Sequence, residues 1–240
     1  MAEDYKGFRE FNDWVNTASI EDLKNVDILT DKIGHIGLFH DSRCSPHDRS
    51  KSIYGDDVKY ILPFTQGGFP RGLWQTPKQL SQFLIFITDK NVETYLDIGT
   101  FSGWTITTVI IYMKRFGIKK VDTYDIYKGC ADELLGLWKE LDLPITYYLG
   151  DTSKILQNYD LIFIDGDHDT GVFTDFETYK SRGRFIVFHD INDAFCPRVR
   201  ECWATIKKEF SNDGIFHEFT YHPNGFSLMG IGVVEWYQKI

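Results

Sequence analysis

The stretch "FIDGDHDTGVFTDF" (163–176) closes an apolar β-type run and then places Asp165, Asp167, His168 and Asp169 within five positions. Three carboxylates and an imidazole crowded together repel and desolvate one another unless a cation, or a proton to be moved, sits among them. An imidazole beside a carboxylate can take a proton from a hydroxyl, and carboxylates can hold a hard divalent ion. A second apolar run, "RFIVFHD" (184–190), ends on His189 and Asp190. Upstream, "YLDIGTFSGWT" (95–105) carries Asp97, Gly99 and Gly103 in the spacing D-x-G-x-x-x-G. Gly99 permits close approach of a ligand to the backbone, and Gly103 lets the following helix start tight against its strand. Two further acids stand at comparable places, Asp125 in "VDTYDIY" and Asp151 in "YLGDTS".

All of these groups sit at the ends of short apolar or β-branched runs: "TYLDI" (94–98), "KVDTYDI" (120–126), "ITYYL" (145–149), "LIFID" (161–165) and "RFIVFHD" (184–190). Helical patterns separate them, "WTITTVIIYMKRF", "ADELLGLWKEL" and "TGVFTDFETYK", with "PRVRECWATIKKEF" after the last. That rhythm implies right-handed crossovers and a parallel sheet covered on both faces. "IFHEFTY" and "GFSLMGIGVVEWY" read as a closing hairpin of antiparallel edge strands. The expected fold class is therefore α/β, a doubly wound, Rossmann-like, mostly parallel seven-stranded sheet with an antiparallel C-terminal hairpin and an N-terminal helical and loop extension. In such a sheet ligands bind beyond the carboxyl ends of the strands, near the switch point. The dinucleotide fingerprint G-x-G-x-x-G and the lysine of a phosphate-gripping loop are both missing, which favours a ligand without a pyrophosphate.

Residues 1–90 are expected to form the extension, part of the same domain as the 91–240 core. Short helices are predicted over 8–29, and a longer one over 76–90 with Thr76 as cap and Pro77 at the first helical position. Between them, about 38–75, lies an irregular region with Pro46, Pro63, Pro70, Gly55, Gly67, Gly68 and Gly72. A long loop of this kind suits a cap over the carboxyl edge of the sheet.

A net charge of −9 argues against a protein that grips nucleic-acid phosphates. No apolar run is long enough to span a membrane, and "MAEDYKGFREF" has no apolar leader core, so no membrane partner and a cytoplasmic setting are expected. Cys44, Cys130, Cys196 and Cys202 form no C-x-x-C pair and read as reduced, mostly structural thiols. Aromatic residues make up 16% of the chain, enough to fill a core and also line a pocket.

"LDIGTFSG" resembles the first motif of class I S-adenosylmethionine-dependent methyltransferases. That resemblance implies S-adenosylmethionine as cofactor, lying across Asp97, Gly99, Thr100, Gly103, Asp125 and Asp151, with Asp125 on the ribose hydroxyls, Asp151 on the adenine side and Gln75 at the cofactor's edge. "FIDGDHDTGVFTDFETY" followed by "FIVFHDI" is similar to small-molecule O-methyltransferases that include sugar (rhamnosyl, macrolide-sugar) methyltransferases and cephalosporin-hydroxylase-like proteins. The likeness spans roughly 74–210. It implies Asp165 on a divalent metal, Mg²⁺ or Mn²⁺, and His168 as the general base. His189 and Asp190 stand where relatives place an acidic pair on the same metal. His189 departs from that pattern and weakens the site for Mg²⁺.

The implied reaction is O-methylation of a small molecule or glycan end such as a deoxysugar, with a homo-oligomer left open. Two rivals remain, a metal-independent methyltransferase of a phenolic or other hydroxyl using His168 alone, and a silent binding protein on the same scaffold. An oxidoreductase is disfavoured by the missing dinucleotide glycines. Asp167 and Asp169 read as helix-start residues. His35, His40 and His47 sit in or near the expected cap, whereas His217 and His222 have no motif support and read as structural or surface groups.

Overall fold

The computed structural model describes residues 5–39, 54, 59, 61–62, 65–66, 69–152, 155–222, 225 and 227–237. The first helices are α1 (Lys6–Thr17), α2 (Ile20–Leu23) and α3 (Val26–Gly34). Polar caps set two of the starts: Ser19 accepts from the Asp22 N–H, and Asn25 accepts from the N–H groups of Asp27 and Ile28. Helix α4 (Pro77–Thr88) begins differently from expectation. Thr76 stands at its N-cap, but the hydroxyl donates to Met229 Sδ at 3.3 Å instead of capping. Pro77, with no N–H to satisfy, starts the helix without that cap.

Two short strands, β1 (Thr65–Gln66) and β2 (Phe69–Pro70), pair with each other. The main sheet holds β3 (Thr94–Ile98), β4 (Lys120–Asp125), β5 (Ile145–Leu149), β6 (Tyr159–Ile164), β7 (Gly183–Phe188), β8 (Gly214–Phe219) and β9 (Ile231–Trp236). Helices α5 (Trp104–Lys114), α6 (Asp132–Glu140), α7 (Gly171–Tyr179) and α8 (Pro197–Glu209) make the connections. The strand order is β5-β4-β3-β6-β7-β9-β8. Strands β3 to β7 run parallel, and β9 lies antiparallel to both β7 and β8. The chain winds outward from β3 in one direction and then returns to β6 on its other side, so the switch point falls between β3 and β6.

The closing hairpin forms, but only one of its strands is an edge. β9 is inserted between β7 and β8, and the reason is composition: "IGVVEW" is buried at all positions except Glu235, whereas "GIFHEF" is half open to solvent. The more apolar strand takes the place with a neighbour on each side.

Strand alternation sends successive residues to opposite faces. On one face Tyr95, Phe163, Val187 and Val233 join Phe83 and Leu84 of α4, Val109 and Ile110 of α5, and Phe8 and Phe11 of α1. On the other, Leu96, Ile98, Ile162, Ile186 and Phe188 meet Phe176 of α7 and Trp203 and Ile206 of α8. Of the expected cap, most of 40–64 lies outside the described residues. Phe39 and Trp74 stack at 4.6 Å and both reach Phe101 in the loop after β3. Among the described residues no helix is long and apolar enough to cross a membrane.

Candidate active site

The carboxyl ends of β3, β4, β5 and β6 open onto one cavity of about 950 Å³. Asp97, Gly99, Thr100, Asp125, Asp151, Asp165, His168, His189 and Asp190 all line it. Gln75 and Gly103 do not. Gly103 has φ +77° at the start of α5, and a β-carbon there would meet Cys130 Sγ at 2.7 Å and Leu134 Cδ2 at 2.9 Å. It serves the packing of α5 against α6 and not against its own strand. Gln75 is fully buried with neither amide atom hydrogen-bonded. Of the histidines expected near the cap, His35 is placed away from the cavity, and His40 and His47 lie outside the described residues. His217, whose ring lies tilted against Phe86, and the buried His222 are also elsewhere.

At one end of the cavity Asp125 Oδ2 accepts the Phe101 N–H at 2.7 Å and Oδ1 accepts the Tyr127 N–H at 2.9 Å. Each oxygen keeps a lone pair for a further donor. Asp97 is buried and accepts the Thr123 hydroxyl at 2.6 Å, and Thr123 in turn meets Thr100 at 2.6 Å. Burial pushes the Asp97 carboxyl up to about 8; the Thr123 hydrogen bond offsets part of this, and the charges of Asp165 and Asp125 add to it. Gly99, at φ +96°, makes its close approach to protein: a β-carbon would fall 2.2 Å from the Asp165 carbonyl oxygen. The loops after β3 and β6 are thereby pressed together.

At the other end, Asp165 Oδ1 lies 3.2 Å from His168 Nε2 and 3.1 Å from His189 Nδ1. Asp190, in a left-handed backbone conformation at φ 60°, places Oδ1 3.3 Å from His189 Nδ1 and Oδ2 3.6 Å from His168 Nδ1. His189 and Asp190 are buried, and His189 Nε2 has no partner. The hydrogen bond to Asp165 and the contact with Cys196 outweigh burial and raise His168 to about 11. Burial opposes the His189 cation, but the charges of Asp165 and Asp190 prevail and raise it to about 10. Burial likewise opposes the Asp165 carboxylate, yet the two imidazoles hold it below the usual range.

Asp167 behaves as a helix-start residue, accepting the N–H groups of Asp169 and Gly171 ahead of α7. Four groups were invisible at the sequence level. Asp175 on α7 lines the cavity and is pushed up to about 6 by burial and by Asp167 and Asp151; its acid-on-a-helix pattern reads as surface. Cys196 enters the cavity from the loop before α8 and is not the structural thiol expected, unlike the buried Cys130 and Cys202. Trp74 and the exposed Phe195 supply aromatic wall.

No family model and no curated protein sequence matches the chain. Solved structures do. Cofactor-bound Rv0187 from MTB is 16% identical, with a TM-score of 0.56 over 71% of this chain and 84% of that one. The O-methyltransferase TomG from Streptomyces achromogenes, involved in tomaymycin synthesis and solved with SAM, is 13% identical, with a TM-score of 0.52 over 68% of this chain and 82% of its own. A Clostridium thermocellum protein provisionally titled an rRNA methylase is 11% identical, with a TM-score of 0.54 over 68% of this chain and 97% of its own.

The chain has the class I methyltransferase fold. At these identities the likeness speaks for the fold alone, and the neighbours' titles point in directions as different as tomaymycin synthesis and rRNA methylation. What the methyltransferase fold does in this chain has to be read from the cavity itself.

Proposed function

We propose that the chain transfers a methyl group from S-adenosylmethionine to a hydroxyl of a small molecule or glycan end, with a deoxysugar such as rhamnose as the acceptor class. One observation carries this: Asp97, Asp125 and Asp165, from three neighbouring parallel strands, open into the same cavity as His168. At about 950 Å³ that cavity is at the upper end of the usual range for ligand sites, room for a cofactor and a small acceptor side by side.

The residues fit the cofactor. Asp125 has one lone pair free on each oxygen for a pair of ribose hydroxyls, and Asp151, which lines the same cavity, would face the adenine. Asp97, whose hydrogen-bond partner is a hydroxyl, suits the ammonium of an amino acid, whose charge would offset the burial of the carboxylate. Bound there, S-adenosylmethionine supplies a methyl on a sulfonium. His168, with Nε2–H held on Asp165, takes the acceptor's proton at Nδ1 once positive charge entering the cavity has lowered its hold on its own proton. In-line placement of the two partners supplies much of the rest.

Mg²⁺ and Mn²⁺ fit less well. Asp165, His189 and Asp190 bring two carboxylates and an imidazole within reach of one another, not the oxygen shell these ions favour, and Asp165 Oδ1 already meets both imidazoles. Among the described residues the lining has eight aspartates and no Lys or Arg, which suits a neutral polyol better than a phosphorylated or carboxylated acceptor or a nucleic acid.

Labelled methyl donor incubated with a panel of sugars and phenols tests the reading. Label on a sugar hydroxyl supports it, label on phenols alone replaces the acceptor class, and no heat on titration with S-adenosylmethionine sinks it.

A further inference from the structure

Cys196 has no task in methyl transfer, yet it stands at the reacting end. Its Sγ lies 3.6 Å from His168 Nδ1 and 3.5 Å from Asp190 Oδ2, and those two atoms are 3.6 Å apart. The last separation is too long for an N–H···O hydrogen bond. All three are close to the edges of one coordination polyhedron. A tetrahedral ion with Zn–S of about 2.3 Å and Zn–N or Zn–O of about 2.0–2.1 Å has sulfur edges of about 3.5–3.6 Å and a nitrogen–oxygen edge of about 3.3–3.4 Å.

The surroundings favour the same assignment. Asp165 Oδ1 faces His168 Nε2 at 3.2 Å, which keeps a proton on that nitrogen and leaves Nδ1, directed at Cys196 and Asp190, as the nitrogen whose proton a cation would displace. A carboxylate behind a ligating imidazole is the usual support of a metal-bound histidine. A thiolate, an imidazole and one carboxylate form a donor set for borderline-soft ions and not for Mg²⁺. The three side chains line the cavity, so a fourth coordination position faces it.

We propose that His168 Nδ1, Asp190 Oδ2 and Cys196 Sγ form a binding site for a divalent cation of the zinc class, with Asp165 as the positioning residue behind His168. The ion would occupy the nitrogen that takes the acceptor's proton, so metal occupancy and methyl transfer compete. That competition rests on the transfer reading, but binding itself does not.

Cobalt(II) chloride titrated into the full chain without methyl donor reads the site directly. The expected result is a near-ultraviolet thiolate-to-cobalt band with strong visible bands of tetrahedral type, saturating at about one equivalent per chain. Added Zn²⁺ should abolish the bands and excess Mg²⁺ should not. Cys196→Ser should lose the thiolate band, Cys44→Ser should keep it, and Asp165→Asn should keep it with about 10–100-fold weaker affinity. No binding, or a weak octahedral-type spectrum unchanged by Cys196→Ser, overturns the site. A cobalt band in a chain that gives no heat with S-adenosylmethionine would leave the site standing while the transfer reading falls.

Discussion

At one end of the cavity Asp125 takes a backbone N–H on each oxygen, and Asp97 takes a hydroxyl from a threonine that is itself held by Thr100. At the other end, five side chains from two loops meet through contacts of 3.1–3.6 Å, one of them flanked by an imidazole nitrogen without a partner. The first arrangement rests partly on the backbone of adjoining strand-end loops, and it suits a ligand held in a fixed pose. The second is set by side-chain identity, and single substitutions can change its chemistry without disturbing the sheet. The same carboxyl edge thus carries, in the proposed function, a general grip and a specialised reaction centre.

Gly99→Ala should erase the difference, because it strikes both ends together. A β-carbon 2.2 Å from the Asp165 carbonyl oxygen, at a positive φ, forces one loop to move. Cofactor binding by calorimetry should vanish, with a stability loss of about 3 kcal/mol or more in urea unfolding. Normal binding would show the two loops to be independent.

His168→Ala touches the reacting end alone. Transfer should slow by about 10²–10⁴-fold at saturating cofactor while the cofactor dissociation constant stays unchanged. Near-normal turnover would move the proton's exit elsewhere. Asp125→Ala is the mirror image: cofactor binding weakens by about 1.5–3 kcal/mol while single-turnover rate at saturation is kept. If the rate falls instead, the ribose assignment fails.

The smallest effect is expected from Asp97→Asn in the cofactor-free chain. Asp titrates near about 3.9 when unfolded, but here burial holds it at about 8. The folded chain therefore retains an extra proton between these values. The stability linked to it is complete below the unfolded pKa and is lost as pH rises through about 8. Melting at about pH 9 should show the variant more stable by about 1–3 kcal/mol, with the gap closing toward acid. A constant gap across pH would mean that Asp97 is not the titrating group.

Much of the fold was legible because β-branched runs and helical patterns carry their own punctuation. Strands at 94–98 and 145–149 fall where the sequence puts them, and the other three parallel strands differ by a residue or two. The exceptions arise where a distant residue intervenes: Met229 takes the Thr76 hydroxyl, and the apolar β9 displaces β8 to the edge. The candidate site divides the same way. Asp97, Asp125 and Asp165 are local features of strand ends, whereas Cys196 meets His168 across 28 positions and only folding brings them together. Gln75 and Gly103 were read from resemblance and spacing, and neither reaches the cavity.

The turns after β3 and β6 meet at Gly99 too closely for a β-carbon between them, so this part of the cavity floor is tightly packed. The aromatic side chains of the remaining walls, Trp74 and Phe195, are set apart from that floor, and Phe195 leaves 70% of its surface in water. In the proposed reaction, discrimination between acceptors would turn on these aromatic side chains, which can be exchanged without touching the packed floor beneath.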